Sequence, residues 1–193
     1  KYLQAQINPH FLFNTLNAGA QLAMMGDSEK TYLYIQNMAD FFRYNVRKNN
    51  DSVTLSEEIE LVDNYIYILN VRFSGEIHFK KEIDAKLLTV NMPSMILQPL
   101  VENSVNHGIR NIEREGLITL SVYKSNNQVC ISLKDNGIGM TQEKINRILE
   151  KQIEEPDLSE DSNGVGLENV ISRLQLFYGK DDVFMIKSAG EDQ

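Results

Sequence analysis

The sequence predicts an α+β fold, in which an N-terminal helical hairpin is followed by helices packed on one face of a mixed sheet. Near the N-terminus, apolar residues recur at three- and four-residue spacings in two stretches, which indicates two amphipathic helices. Farther along, two short segments alternate apolar and polar residues around an Asn-Asn pair, which is typical of a β-hairpin. Because helical and alternating segments are interleaved, an all-helical or all-β fold does not fit.

The first two predicted helices form a hairpin. The helical pattern runs from Leu3 to Arg47 and is interrupted by the Gly-Asp-Ser sequence of residues 26–28. Glycine commonly ends a helix, and Asp and Ser are good N-caps for the next one. Two helices alone make a thin core, so we expect the hairpin to pack against a second copy of the chain as a dimeric four-helix bundle. We assign residues 1–50 to this domain.

A polar stretch over residues 49–54 separates the hairpin from a second domain, which we assign to residues 51–193. The pattern of this domain predicts, in order, a helix from Ser56, a strand over Ile77–Ile83, a helix over residues 94–108 beginning near Pro93-Ser94, strands over Ile118–Val122 and Val129–Leu133, a helix over Gln142–Lys151, a helix over Gly164–Tyr178 and a strand over Val183–Lys187. The acidic stretch before Gly164 is expected to be a flexible loop.

Composition excludes several classes of protein. A total of 19 Lys and Arg against 27 Asp and Glu gives a net charge of -8, which argues against a general nucleic-acid binder. The single cysteine, Cys130, cannot form an internal disulfide, which indicates a reducing compartment. No apolar stretch approaches the ~20 residues that a membrane helix requires. Because the chain begins at Lys1 within a helical pattern, we interpret it as a fragment of a longer protein.

The common nucleotide and metal signatures are absent from the sequence. The glycines at 164–166 and 179 complete neither a phosphate-binding P-loop nor a dinucleotide-binding G-x-G-x-x-G motif. Three scattered histidines and one cysteine give no spacing that suits a zinc site. A nucleotide or metal site must therefore be built from other residues.

One segment with candidate binding residues lies on the predicted helix over 94–108. Asn103, Asn106 and His107 are three and four residues apart, so they project from one helix face. The amide oxygen of Asn103 is a hard ligand suited to Mg²⁺, which would take its other ligands from phosphates and water. Taken alone, Asn103 could equally be a polar residue whose hydrogen bonds are satisfied within the fold.

Two further candidate segments are rich in glycine. Asp135-Asn-Gly137-Ile-Gly139 leaves the end of a strand, where glycines allow a flat ligand to approach and the carboxylate could accept a hydrogen bond from an exocyclic amine. Asn163-Gly164-Val-Gly166-Leu167 opens a helix, whose unpaired N–H groups favour phosphate. Taken alone, the first segment is equally explained as a turn and the second as a loop that enters a helix.

Together, the three segments resemble the GHKL (Bergerat-type) ATP-binding fold shared by gyrase, Hsp90, MutL and histidine kinases. An Asn on a helix, a hairpin ending in D-x-G-x-G, a polar lid and a G-x-G-L at the start of a helix follow one another in that family's order. The resemblance implies that ATP and Mg²⁺ bind between Asn103, Asp135 and the two glycine segments, with Asn103 as the metal ligand.

Longer stretches resemble the LytS/YesM-type sensor histidine kinases. Gln6-Ile-Asn-Pro-His10-Phe-Leu-Phe-Asn-Thr-Leu-Asn17 is similar to the phosphoacceptor box of that family. Leu97-Gln-Pro-Leu-Val-Glu-Asn-Ser-Val-Asn-His-Gly108 is similar to its N box, and Gly166-Leu-Glu-Asn-Val-Ile-Ser-Arg-Leu174 to its second glycine box.

This resemblance implies a two-component transmitter. In such a protein, ATP phosphorylates His10, and the phosphoryl group then passes to an aspartate on the receiver domain of a response regulator. The resemblance also implies a homodimer with no nucleic-acid partner. The chain is expected to be a cytoplasmic-facing fragment of a bacterial cell-membrane sensor, which reaches the membrane only through segments absent from this chain.

The chemistry of His10 agrees with the role of phosphoacceptor. An unperturbed imidazole is mostly neutral at pH 7, so a ring nitrogen with a free lone pair can attack phosphorus. Pro9 lacks an N–H and crowds the preceding turn, which should bend or break the helix beside His10. Without the ATP-site segments, His10 would more simply be a polar residue in a bundle seam, or the Pro-His pair the start of a helix.

Two positions depart from the patterns of related families. Many other histidine kinases place an acid after the phosphorylated His, but here Phe11 follows, so the general base is unassigned. Hydrolysing GHKL proteins carry a Glu four residues before the metal-binding Asn, but here that position is Pro99, which favours phosphoryl transfer over hydrolysis. Glu102 adjoins Asn103 but points about 100° away around the helix.

The alternatives left open are an ATP-binding dimerisation module without kinase activity and an ATPase.

Overall fold

The computed structural model describes residues 9–46, 52–73, 76–150 and 165–189. The helices and strands, in chain order, are α1 (Pro9–Met24), α2 (Ser28–Val46), β1 (Ser52–Thr54), α3 (Leu55–Arg72), β2 (Ile77–Ile83), β3 (Asn91–Pro93), α4 (Leu97–Asn103), β4 (Gly116–Ser125), β5 (Gln128–Asp135), α5 (Gln142–Glu150) and α6 (Val165–Tyr178). Three short helical turns occupy Ala85–Leu87, Ser104–Gly108 and Ile109–Asn111. None of the helices in the described ranges is long and apolar enough to span a bilayer.

The helical hairpin is confirmed over residues 9–46. Gly26 has a φ of 76°, a left-handed conformation that ends α1, and the Asp27 carboxylate accepts a hydrogen bond from the Lys30 N–H at 3.0 Å as α2 begins. The hydroxyl of the buried Tyr34 on α2 donates to the Thr15 carbonyl on α1 at 2.8 Å. The part of the first helix that the sequence predicts before Pro9 lies outside the described residues.

An aromatic cluster joins the hairpin to α3. The ring of Phe11 lies 5.5 Å from that of Phe41 and 5.7 Å from that of Tyr65, and the Phe41 and Tyr65 rings stack at 5.9 Å, measured between centroids. Aromatic pairs at such separations contribute about 0.5–1.5 kcal/mol each beyond the burial of their surface. The hairpin is therefore packed directly against the first helix of the second part of the chain.

Polar side chains fix α3 near both of its ends. The Thr54 hydroxyl accepts a hydrogen bond from the Glu57 N–H at 3.3 Å, and the Glu57 carboxylate accepts one from the Thr54 N–H at 2.8 Å, which forms a capping box. Near the other end, the Asn70 amide donates to the Ile77 carbonyl at 2.7 Å and accepts from the Ile77 N–H at 3.1 Å. The second pair of bonds sets the position of β2 relative to α3.

The main sheet is mixed, as predicted. Strand β4 lies in the centre, parallel to β2 and antiparallel to β5. Asn126 and Asn127 form the turn between β4 and β5 with positive φ values of 48° and 64°, as in a type I′ hairpin turn. One face of β4 presents Ile118, Leu120 and Val122 to a buried core shared with α3 and α4. The sheet therefore carries its helices on this face.

A buried carboxylate determines where α4 begins. Glu58 on α3 is fully buried and accepts hydrogen bonds from the N–H groups of Met95, Ile96 and Leu97 at 2.7, 2.8 and 2.9 Å. Its Oε1 also accepts one from the Tyr44 hydroxyl on α2 at 2.9 Å. Four donors compensate for the removal of this group from water. Glu58 therefore ties α2, α3 and the start of α4 to one point.

The predicted start of the helix over 94–108 is wrong. Helix α4 begins at Leu97, because Pro93 is the last residue of β3, which pairs antiparallel with β1. The bonds to Glu58 then define the first turn of α4. After Asn103 the α-helix gives way to a wider π-helical turn over Ser104–Gly108, so the predicted helix has two different geometries.

The strand predicted over Val183–Lys187 is also wrong, since no strand occurs among the described residues 181–189. The apolar residues do alternate there, but they pack on helices and not on the sheet. Phe184 and Ile186 pack on a small apolar cluster of α5 and α6, and the Ser188 hydroxyl accepts a hydrogen bond from the Met140 N–H at 2.9 Å. The segment covers helices instead of extending the sheet.

Replacement of Asn127 by Gly should stabilise the hairpin of β4 and β5. Glycine adopts the φ of 64° at this position without steric cost, and Asn-Gly is a preferred pair in such a turn. We expect the free energy of unfolding, measured by urea titration, to rise by about 0.5–1 kcal/mol. The control Asn127→Val should lower it, and equal values for the two variants would contradict the turn.

Candidate functional site

The end of the Asn103 segment and the loop after β5 are in direct backbone contact. The Ile138 N–H donates to the Gly108 carbonyl at 3.2 Å. A Cβ added to Gly137 would lie 2.4 Å from the Cα and the carbonyl carbon of Gly108, too close for the two backbones to keep their places. Two of the three candidate segments therefore meet here, and the contact requires glycine at position 137.

Asp135 is fixed beside this contact. It is the last residue of β5, its side chain is half-buried, and its Oδ1 accepts a hydrogen bond from the Gly137 N–H at 2.9 Å. A Cβ added to Gly108 would approach the same oxygen to 2.9 Å. Because a carboxylate has two oxygens, one can hold the loop while the other accepts a hydrogen bond from a ligand.

The loop after Asp135 is anchored to the start of β4 by Asn136. The Asn136 side chain accepts a hydrogen bond from the Leu117 N–H at 2.7 Å and donates one to the Glu115 carbonyl at 3.0 Å. Farther along the loop, Gly139 takes a φ of 80°, a conformation that favours glycine. These features give the Asp135–Gly139 loop a defined path.

The third candidate segment adjoins the other two through apolar packing. Leu167 on α6 is buried in a cluster against which Met140, the residue after the glycine loop, and Leu100 on α4 are packed. Gly166 is exposed, and an added Cβ would meet no described atom within 4 Å. Gly164 lies outside the described residues. The structure thus brings the start of α6 to the same region as α4 and the glycine loop.

The candidate residues around Asn103 differ in exposure and electrostatics. Asn103 ends α4 and is half-buried, Asn106 is exposed, and His107 is half-buried in the π-helical turn. Burial lowers the pKa of His107, and the nearby ammonium of Lys144 on α5 lowers it further. His107 is therefore neutral at pH 7, and Lys144 brings a positive charge close to this segment.

His10 is exposed on the first turn of α1, and its ring is contacted by Asn14. The side-chain nitrogen of Asn14 lies 3.1 Å from both ring nitrogens. Residues four apart lie on the same face of a helix, so the contact follows from their spacing. Asn14 therefore restricts the orientation of the imidazole.

Phe11 and Glu102, which adjoin His10 and Asn103 in the sequence, both have structural roles. Phe11 packs with Phe41 and Tyr65, so the position after His10 attaches the hairpin to α3 instead of supplying an acid. Glu102 is half-buried, and its carboxylate accepts a hydrogen bond from the Gln98 amide at 2.8 Å. Burial raises the pKa of Glu102, although the bond from Gln98 opposes this effect. Its carboxylate is therefore engaged within α4.

Sequence reasoning missed three residues that contact candidate residues or hold the elements that carry them. Asn14 carried a usable signal, its four-residue spacing from His10 on one helix. Lys144 gave no signal, because only the folded chain brings α5 close to His107. Glu58 resembled an ordinary acid in the first turn of a helix, and only its complete burial identifies it as a structural centre.

The assembled groups suit a phosphorylated nucleotide with a metal ion. Asp135 supplies a fixed acceptor, and the glycine loop offers a backbone that a flat ring can approach. The Asn103 amide oxygen suits Mg²⁺, a cation that usually takes few protein ligands and several from phosphates and water. Lys144 adds a charge that favours an anion. These residues therefore fit both a nucleotide and Mg²⁺.

Comparison with known proteins identifies both parts of the chain. Residues 1–77 match the family model described as histidine kinase. Residues 91–188, about half of the chain, match the model described as histidine kinase-, DNA gyrase B-, and HSP90-like ATPase. The two matches follow each other along the chain.

Curated relatives agree with the family models. Sensor protein LytS of Oceanobacillus iheyensis is 37% identical over 187 residues, which cover 96% of this chain and 32% of that protein. Sensor histidine kinase YpdA of Escherichia coli is 33% identical (92% of this chain, 30% of YpdA), and sensor histidine kinase YesM of Bacillus subtilis is 33% identical (93% and 29%). The chain spans about a third of the length of these relatives. It belongs to the sensor histidine kinases of the LytS and YesM type.

Proposed function

We propose that the chain is the transmitter part of a two-component sensor kinase. It binds ATP with Mg²⁺, phosphorylates His10 and passes the phosphoryl group to an aspartate on the receiver domain of a response regulator. The observation that carries the proposal is the contact between the Asp135–Gly139 loop and Gly108, because it joins two candidate segments. The third segment adjoins them, since Leu167 on α6 packs in a cluster with Met140 and Leu100. Membership of the sensor histidine kinases supports the same function.

We assign the phosphoacceptor and dimerisation role to residues 1–50 and ATP binding to residues 51–193. In this proposal, Asp135 accepts a hydrogen bond from the adenine amine, and Asn103 holds Mg²⁺. The remaining nucleotide-binding positions are Asn106, His107, Gly137, Gly139, Gly164, Gly166 and Leu167.

The transfer step requires only one nucleophile. A neutral ring nitrogen of His10 forms a bond to the γ-phosphorus while the phosphorus–oxygen bond to ADP breaks, and ADP leaves with the electron pair. The proton on the other ring nitrogen is released to solvent. Positioning and charge neutralisation supply most of the rate of such transfers. Because position 99 is proline, no carboxylate there activates water, which favours transfer over hydrolysis.

Asn14 orients the His10 ring during this step. In the structure the amide nitrogen faces the ring, and rotation of the amide by half a turn presents its oxygen at the same distance. A ring N–H that turns towards this oxygen would be held by it, which leaves the other ring nitrogen with a free lone pair for attack on phosphorus.

A homodimer is supported by the surface of the hairpin. Phe13 and Leu16 on α1 are 63% and 46% exposed, and Leu33 and Ile35 on α2 are each 42% exposed. Apolar side chains concentrated on two helices favour a protein interface. We propose that a second copy covers them as a four-helix bundle. The net charge of -8 argues against a nucleic-acid partner.

We propose that the chain lies on the cytoplasmic side of a bacterial membrane sensor. The proposal is supported by its kinship with sensor proteins about three times as long, which leave room for further segments outside this chain. Those segments would connect it to the membrane.

Incubation with γ-labelled ATP tests the kinase proposal. We expect label that is labile in acid, stable in alkali and absent from the variant His10→Gln. His78→Gln is the matched control, because His78 is an exposed histidine on β2 whose ring contacts the Glu115 carboxylate at 3.0 Å. This variant should be labelled like the wild type. Label on Ser or Thr rejects the proposal. ATP binding without label indicates a dimerisation module, and sustained phosphate release indicates an ATPase.

Gly137→Ala tests the contact on which the ATP site is built. The new Cβ would collide with the backbone of Gly108, so we expect the ATP dissociation constant to rise at least tenfold and the free energy of unfolding to fall by about 1–3 kcal/mol. Gly166→Ala places its Cβ more than 4 Å from any described atom and should leave the free energy of unfolding within about 0.5 kcal/mol of the wild type. Normal ATP affinity and stability in Gly137→Ala would show that the contact does not shape the site.

Asn14→Ala and Asn14→Asp test the orientation of the imidazole. We expect kcat for autophosphorylation to fall about tenfold in Asn14→Ala, with KM for ATP unchanged, because only the nucleophile is displaced. Asn14→Asp keeps an oxygen acceptor and should retain most of kcat. Asn17→Ala, on the same helix, serves as the control. A variant Asn14→Ala that is as active as the wild type, or more active than Asn14→Asp, would refute this role.

A further inference from the structure

The hydrogen bond between Tyr44 and Glu58 connects the hairpin to the elements that follow it. Tyr44 is half-buried on α2, and its hydroxyl donates to Oε1 of Glu58 on α3 at 2.9 Å. Burial raises the pKa of Tyr44, and the Glu58 charge raises it further. The hydroxyl therefore stays protonated and keeps its role as donor. Through this bond, the hairpin contacts Glu58, the residue whose carboxylate determines where α4 begins.

Glu58 holds a strained segment at the start of α4. Met95 has a φ of 60°, a left-handed conformation that costs a residue other than glycine about 1–2 kcal/mol. The carboxylate accepts hydrogen bonds from the N–H of Met95 and of the two residues after it. These bonds stabilise a conformation that the chain would otherwise avoid. The last residue of α4 is Asn103, the proposed Mg²⁺ ligand.

The same segment is also tied to α6. The guanidinium of Arg173 on α6 donates to the Ser94 carbonyl at 2.7 Å, one residue before Met95. Helix α6 carries Gly166 and Leu167 at its start. The turn at residues 94–97 is therefore held from two sides. Glu58, which also binds Tyr44 of α2, holds it on one side, and Arg173 of α6 holds it on the other.

We propose that Tyr44 is a positioning residue for phosphoryl transfer, because its bond to Glu58 fixes the hairpin that carries His10 relative to the elements that bind ATP. The inference rests on the proposed kinase function. Loss of the Tyr44 hydroxyl leaves Glu58 with three backbone donors, so α4 and ATP binding are retained. The hairpin keeps its aromatic contacts with α3 but loses a directional bond. Since transfer requires reacting atoms about 3–3.5 Å apart, the effect falls on kcat.

The experiment measures kcat and KM for ATP in autophosphorylation of the chain and of the variant Tyr44→Phe. We expect kcat to fall at least fivefold, with KM within twofold of the wild type. Tyr34→Phe is the matched control, because it removes a buried hydroxyl from the same helix whose bond to the Thr15 carbonyl stays within the hairpin. It should lower the melting temperature by a similar amount and keep kcat within twofold.

Hydrogen exchange separates positioning from damage to α4. In Tyr44→Phe, the amides of residues 95–97 should exchange as slowly as in the wild type. In Glu58→Gln, which loses the charged acceptor, they should exchange faster, and KM for ATP should rise. Faster exchange at 95–97 in Tyr44→Phe would overturn the inference, since ATP binding itself would then be affected.

The remaining outcomes are equally decisive. An unchanged or increased kcat in Tyr44→Phe overturns the inference, and so does an equal loss of kcat in Tyr34→Phe, which would indicate a general loss of stability. If the wild type forms no phosphohistidine, the proposed function fails and this inference fails with it. If the wild type forms phosphohistidine and Tyr44→Phe matches it in kcat, only the inference fails.

Discussion

The complete burial of Glu58 is the constraint on which the arrangement of this chain depends. A carboxylate without water must find donors within the protein, because an unpaired buried charge costs several kcal/mol. Glu58 finds one donor on α2 and three at the start of α4, so movement of either element away from α3 removes donors from the charge. The position of α4 then determines where Asn103 lies and where the following turn delivers Gly108 to the glycine loop. The need of the buried Glu58 carboxylate for hydrogen-bond donors thus influences the geometry of the candidate site.

The hairpin has one apolar face packed against α3 and other apolar side chains exposed to solvent. Phe11 and Phe41 pack against Tyr65 of α3 and attach the hairpin to the rest of the described chain, while Phe13 and Leu16 remain exposed. His10 lies between these faces, next to the residue that provides the attachment. Among the described contacts of its ring is the Asn14 amide, at 3.1 Å from both ring nitrogens.

Features encoded by neighbouring residues could be predicted from the sequence, and features decided by distant contacts could not. The turn at Asn126-Asn127 and the helix break at Gly26 were predictable, because each depends on the local conformation that those residues tolerate. The glycines around Asp135 predicted a turn at the end of a strand, and the structure places Asp135 as the last residue of β5. The start of α4 was not, because pairing of β3 with β1 and the bonds to Glu58 override the helix signal at Pro93-Ser94. Alternation over residues 183–187 was visible, but it does not reveal which surface the apolar residues cover.

The π-helical turn over Ser104–Gly108 makes the number of residues in this segment a structural requirement. A π turn closes five residues on instead of four, so it accommodates one more residue than an α-helix would over the same stretch. Loss of one residue would let an ordinary helix continue, but it would rotate everything beyond by about 100° and carry Gly108 away from Gly137. Over evolution, such a segment should therefore keep its number of residues.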